Sequence, residues 1–413
     1  MELATRKTRQ LIMPLKFNKI IALSEPQIRG NEWKYVKDCL DSGWVSSVGE
    51  YVQRFEKTVA DYLGRSHAVA CVNGTSALHI AVLVAGIEAH QEALIPALSF
   101  AAPANALRYA GAFPTFIDVD PDTWQMDPER IENFLRKECH FTDGKWINRH
   151  TRRVVRAILP VHILGHPVDM DPILKLGKEF ELPVIEDAAE SLGALYKSKK
   201  VASLGDIAVL SFNGNKTITC GSGGMLVTNN EKSARRARYL TTQAKDDPIE
   251  YIHNEVGYNY RLSNLHAAMG LAQMECLDEF VEIKKRIARR YRKDLENIPG
   301  ISFLIDQPWG QSSFWLYTIL VDLKNFGMDS RELLDCLKRE SIQSRPLWHP
   351  LHRLRPFQDC YAHQISVADQ LYEKALSLPS SVGLTEEDQT RVIDAIIEAN
   401  SKKGREAYFE SRR

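Results

Sequence analysis

The seven cysteines of this 413-residue chain form no C-x-x-C pair and lie singly at positions 39, 71, 139, 220, 276, 336 and 360. An odd, scattered set excludes a disulfide framework and a cysteine-based zinc site, and leaves reduced thiols filling the core of a cytoplasmic protein. Long apolar runs are equally scarce. The longest, over 77–87, is interrupted by His79 and falls well short of the ~20 residues of a membrane span. Charge of one sign is missing too: 53 Lys and Arg balance 53 Asp and Glu. No global field draws the chain to nucleic acid or an anionic membrane, so an anionic partner must be held by a local site. There is no excess of Pro or Gly and no internal repeat, which excludes disordered, fibrous and solenoid classes. The N-terminal MELATRKTRQLIMPLKF is basic but has no apolar core of a secretory signal, and reads as a flexible leader over 1–20.

What is present is an ordinary globular composition, 44% hydrophobic and 26% charged, in a chain long enough for two domains. Short apolar runs at 68–72, 93–96, 115–119, 154–161, 183–186, 207–212 and 225–228 predict strands, alternating with helical patterns at 76–85, 128–137 and 172–179. That alternation predicts an α/β fold around a mostly parallel sheet covered on both faces. A long helical pattern runs from 263 to about 295. Beyond it come a strand at 314–321 and helices near 329–339 and 385–399. The expected division is therefore a large domain over 21–275 and a small α+β domain over 276–413.

Ligands of open α/β sheets bind beyond the carboxyl ends of the strands, so the residues that follow the apolar runs matter most. AVACV leads into Asn73, Gly74, Thr75 and Ser76, a turn and helix start that suits a phosphate, with Thr75 or Ser76 as an ordinary helix cap the plainer reading. LPVIED ends at Asp187, a carboxylate that could face a pyridine nitrogen or simply cap the next turn. IAVLS ends at Ser211 and is followed by Lys216, a candidate Schiff-base former. Gly221, Gly223 and Gly224 then let the backbone pass close to a bulky ligand. Two rival motifs fail: NGNKT lacks the G-x-x-x-x-G-K-[ST] spacing of a nucleotide loop, and the glycine cluster precedes a strand where a dinucleotide-binding turn would open a helix.

The motifs NGTSAL, PALSFAAPANA with Phe100, VIEDAAES, SFNGNK, GSGGM and GYNYRLSNLHAAMG occur in that order. Together they resemble the DegT/DnrJ/EryC1/StrS sugar-nucleotide aminotransferases, fold type I enzymes dependent on pyridoxal phosphate, over about 21–397. The resemblance implies that Lys216 carries the cofactor and shuttles a proton, and that Asp187 pairs with the pyridinium nitrogen. It further implies that Phe100 stacks on the ring and that Gly74, Thr75 and Ser211, with Ser76 beside them, hold the phosphate. Asn259 would reach that phosphate from a second subunit, which implies a homodimer with shared sites. Many relatives have Gln where this chain has Glu190, next to the phenolic oxygen. Dehydratases of the family have His in place of the lysine, so Lys216 argues for amino transfer. A pyridoxal-phosphate-binding regulator without catalysis is the alternative of another class, against which stands the lack of a basic recognition helix.

The segment EPQIRGNEWKYVKDCLDSGWVSSVG and PVHILGHPVDM look most like aminotransferases acting on UDP-2-acetamido-2,6-dideoxy-4-ketohexose with L-glutamate as donor, in legionaminic-acid or bacillosamine routes. GDP-perosamine synthesis is the near competitor. Trp44, Val45, Ser46 and Ser47 would lie near the sugar, and Arg345 could meet a diphosphate or the donor carboxylate. His162 with His166, and His349 with His352, have metal-like spacing but no evident carboxylate partner, so no metal is expected. IKKRIARRYRK over 283–293 reads as a solvated helix face.

Overall fold

The apolar runs become strands because successive side chains enter two different cores. In His67–Cys71, Val69 and Cys71 pack with Val209, Leu226 and Ile95 on one side of the sheet, while Ala68 and Ala70 pack with Leu210, Met225 and Val227 on the other. This is a computed structural model, and it describes residues 19–247, 249–304 and 307–401.

One sheet runs in the order His67–Cys71, Gly224–Thr228, Ile207–Ser211, Ile185–Asp187, in which Gly224–Thr228 is antiparallel to both neighbours. A second contains the parallel strands Phe113–Ile117, Glu92–Pro96 and Val154–Ile158. Two parallel bridges, Ile158 to Val184 and Val161 to Asp187, stitch the sheets into one mixed, mostly parallel surface. On one face, helices Glu50–Leu63 and Asn264–Met274 cross so closely that a Cβ on Gly270 would lie 2.7 Å from the Phe55 ring. Phe55 is fully buried there, and truncating such a side chain costs roughly 3–5 kcal/mol.

A separate antiparallel sheet of Ile301–Phe303, Tyr317–Val321, Ala375–Leu378 and Arg345–Pro346 has its own core with Tyr291, Leu295, Leu337 and Ile396. Ile21 forms a parallel bridge with Ile342 next to it. The expected leader lies mostly outside the described residues, and a division near residue 275 stands as our proposal.

Three expectations need correction. The helical pattern over 263–295 is two helices, Asn264–Met274 and Leu277–Leu295, interrupted at Glu275 and Cys276. The first is buried almost all round and the second on one stripe, so each follows its own packing. The pattern over 128–137 begins as the helix Pro128–Asn133 and widens into the π-helix Phe134–Glu138. The basic run 283–293 is not all solvated, because Lys284 stands in the inward stripe between Phe280, Ile287, Ala288 and Tyr291 and is buried.

Candidate active site

The carboxyl ends of the parallel strands and the start of Gly224–Thr228 meet at one cavity of about 870 Å³. Gly74, Thr75, Phe100 and Ser211 line it, as do Asp187, Glu190, Lys216 and Arg345. Gly74 and Arg345, 271 positions apart, are thus brought together where the separate sheet holding Arg345–Pro346 packs against these strand ends.

The cradle side is built by close approach. Gly224 faces Cys71 on one neighbour and Ser211 on the other, and any Cβ there would collide with the Asn73 backbone. Asn73 caps the helix Gly74–Val84, its side chain accepting the Ser76 N–H at 2.8 Å, so neither Thr75 nor Ser76 is the cap. Gly74 and Thr75 line the cavity as the first helical residues, whose N–H groups have no partner four residues back within the helix. Ser211 stands across from them, with its Cβ 2.9 Å from where a Cβ on Gly74 would be. Backbone donors at a helix start, a hydroxyl and space that a single methyl would fill suit a phosphate group.

On the opposite side, Asp187 is buried and accepts the Ala189 N–H at 3.0 Å. Burial holds its carboxyl above the usual range, with Ala189, Lys216 and His162 opposing. Its carboxylate oxygens have no ion-pair partner among the described residues, and a protonated ring nitrogen would be one. Lys216 follows Ile207–Ser211 in a turn closed by its own N–H to the Asn213 carbonyl, 3.0 Å. Its Nζ lies 3.5 Å from Glu190 Oε1. Glu190 Oε2 accepts the N–H of Leu164, a residue held at φ 61°. Burial pushes the Glu190 carboxyl up to about 7, against the Lys216 charge and the Leu164 amide. The Glu190 carboxyl, poised near neutrality, is placed to exchange a proton with the amine beside it. Phe100 is 57% exposed, and its ring has room for a flat partner. The residues present therefore fit pyridoxal phosphate, from phosphate to ring nitrogen to reactive lysine.

Several expected residues lie elsewhere in the chain. Ser76 is buried in the helix and does not line the cavity. Asn259 is exposed on a bridge with Thr242, and Trp44, Val45, Ser46 and Ser47 are exposed in a turn held by Asn264, whose Nδ2 donates to the Trp44 carbonyl at 2.7 Å. None of these five lines the cavity of its own chain. Two of the histidines do have carboxylate partners: His162 Nε2 is 3.2 Å from Glu186, and His352 is 3.5 Å from Asp369. Glu186 also accepts the N–H groups of Ala202, Leu204 and Gly205, making a buried knot behind Asp187. No cluster of three metal-ligating side chains occurs among the described residues. Trp315, whose ring lies under Lys216, has no signal in the strand pattern that contains it, and sequence reasoning missed it.

The comparisons with known proteins agree with this geometry. The model of the DegT/DnrJ/EryC1/StrS aminotransferase family matches residues 26–397. GDP-perosamine synthase of Caulobacter vibrioides is 38% identical over 382 residues, 91% of this chain and 97% of that protein. GDP-perosamine synthase of Escherichia coli O157:H7 is 36% identical, over 93% and 100% of the two chains. Among solved structures, DesI in the presence of its TDP-sugar product superposes with a TM-score of 0.85 at 29% identity, covering 96% of this chain and 97% of that one. Helicobacter pylori PseC, an aminotransferase involved in the biosynthesis of pseudoaminic acid, gives a TM-score of 0.82 at 25% identity, over 92% of this chain and 99% of that one. No helix among the described residues is long and apolar enough to cross a membrane. The reading as a silent regulator gives way to an enzyme: the chain belongs to the DegT/DnrJ/EryC1/StrS aminotransferase family and is a pyridoxal-phosphate-dependent sugar aminotransferase of fold type I.

Proposed function

We propose that the chain moves the amino group of L-glutamate to the C4 keto group of a nucleotide-linked 6-deoxysugar drawn from cytoplasmic pools. The observation that carries this reading is the placement of the Lys216 amine 3.5 Å from Glu190 in the cavity that Asp187 lines. Pyridoxal phosphate, when bound, supplies the electron sink that lets a carbon–hydrogen bond of the donor break as a proton. Gly74, Thr75 and Ser211 hold its phosphate, Asp187 its ring nitrogen and Phe100 its face. Lys216 Nζ takes the proton and returns it, and Glu190 holds or yields one beside the amine. Arg345 lines the cavity with no ion-pair partner among the described residues. Its planar fork suits the donor carboxylate or a diphosphate.

For the nucleotide, the relatives named GDP-perosamine synthases favour a GDP-linked 4-keto sugar, and we place that reading first. The UDP-2-acetamido-2,6-dideoxy-4-ketohexose reading, with UDP-4-amino-4,6-dideoxy-N-acetylglucosamine as product, retains the support of the motif likeness around PVHILGHPVDM. We also propose a homodimer in which Asn259 and the 44–47 turn serve the partner's cavity. Exposed Trp33, Leu40, Trp44 and Val48 support it, as apolar side chains in need of cover. The deciding experiment incubates the holoenzyme and glutamate with GDP-, UDP- and dTDP-4-keto sugars and weighs the products by mass spectrometry. A GDP product is expected, and its loss in Lys216→Ala. Turnover by Lys216→Ala at the normal rate, or no amination of any of the three sugars, overturns the reading.

A further inference from the structure

Trp315 lines the same cavity and makes three contacts that fix it beside Lys216. Its indole is buried, and Lys216 Nζ lies 3.9 Å over the ring centroid. Its Nε1–H donates to the carbonyl of Asn215, the residue before the lysine, at 2.7 Å, and Ser24 Oγ donates to the same carbonyl at 2.9 Å. Its own carbonyl accepts the Lys284 ammonium at 3.0 Å, and Lys284 reaches the Ser380 carbonyl at 2.6 Å. The Trp348 ring stacks nearby, 6.5 Å between centroids and tilted by 6°. The indole is thus fixed at its edge, at its backbone and beside its face. A ring face is negative, and where water is scarce it favours a cation placed over it. Lys216 carries charge in that part of the cycle when it holds the substrate's proton.

We propose that Trp315 is a positioning residue for the amino transfer: its indole face seats the protonated amine of Lys216, and its N–H bond and the Lys284 contact hold the ring in register with that lysine. The proposal rests on the amino-transfer reading. In the step concerned the donor's carbon–hydrogen bond breaks, an N–H bond forms on Nζ, and the electron pair stays with the bound donor and cofactor. No further reactant is needed.

Two measurements test it. In cofactor-free protein, acylation of Lys216 by a succinimidyl ester at neutral pH, read by mass spectrometry of its peptide, consumes only the uncharged amine. Trp315→Leu should accelerate it by about 2- to 30-fold, Trp315→Phe by less, with exposed Lys197 as the unchanged internal reference. The acceleration should vanish at alkaline pH, where the amine is neutral in both proteins. Equal rates at neutral pH, or an acceleration that persists at alkaline pH and so reports a loosened cavity, overturn the proposal. In holoenzyme, single-turnover reaction with glutamate should slow by a similar factor, with a larger isotope effect for α-deuterated glutamate and unchanged glutamate affinity. An unchanged isotope effect with a weakened affinity overturns it as well. Should Trp315→Leu melt early, Trp315→Met, which keeps bulk without a ring face, decides: acylation as slow as in the wild type with an unchanged isotope effect sinks the seat. Failure of the wild type to aminate any sugar refutes the proposed function and leaves the acylation result standing.

Discussion

Replacing Glu190 by Gln should alter how stability depends on pH. Burial lifts this carboxyl from its ordinary 4.5 to about 7. The folded protein therefore keeps the proton up to about 7, whereas the unfolded chain releases it near 4.5. Between those values the folded state binds more protons, and stability falls as pH rises through the window. The cost is absent below 4.5 and fully present above 7, where it amounts to about 3 kcal/mol at roughly 1.4 kcal/mol per pH unit. Gln has the same shape and no charge, and its carbonyl oxygen can keep accepting the Leu164 N–H, now at 2.8 Å. Urea unfolding of the cofactor-free proteins should give equal stabilities just below pH 4.5, and a variant more stable by up to about 3 kcal/mol just above 7. A difference that is the same at both pH values would refute the reasoning, because it would show that Glu190 does not titrate between the two states.

Gly74→Ala should weaken cofactor affinity on the order of 10-fold, read by equilibrium titration, while the melting of cofactor-free protein moves little. The new methyl would sit 2.9 Å from Ser211 Cβ, which no side-chain rotation can move away, so the cradle must open. Unchanged affinity would mean that the phosphate is held elsewhere. Mixing Lys216→Ala with Asn259→Ala protomers should restore activity that neither homodimer has, since one of the two mixed sites would contain both native residues; no recovery in a verified heterodimer would sink the shared-site dimer.

Much of the site was legible because it follows a rule of the fold. Asp187, Ser211 and Lys216 stand where buried strands end, and the glycines that follow Lys216 mark close backbone approach. The cap at Asn73 was legible too, since an Asn before a helix start is a strong capping signal, but the hydroxyls of Thr75 and Ser76 beside it offer the same chemistry. Lys284 was also readable: the inward positions 280, 287, 288 and 291 place 284 on the same stripe, but the charges around it pointed to solvent. The pairing of Glu186 with His162 has no local signature, because their contact depends on how the loop after Val154–Ile158 folds back beside Ile185–Asp187.

The sequence by itself determined the α/β class, the order of the strands along the chain and the chemistry of each residue at a strand end, since periodicity and turn residues are local properties. Only the tertiary structure decided which of these residues meet. Strand order in the sheet put Gly224 between Cys71 and Ser211. A turn at positive φ aimed the Leu164 amide at Glu190, and burial then moved that carboxyl to about 7. Trp315, in the bend that leads into Tyr317–Val321 of another sheet, came to lie under Lys216 from 99 positions further along the chain. Such long-range juxtapositions depend on packing between elements, which no local pattern of residues records.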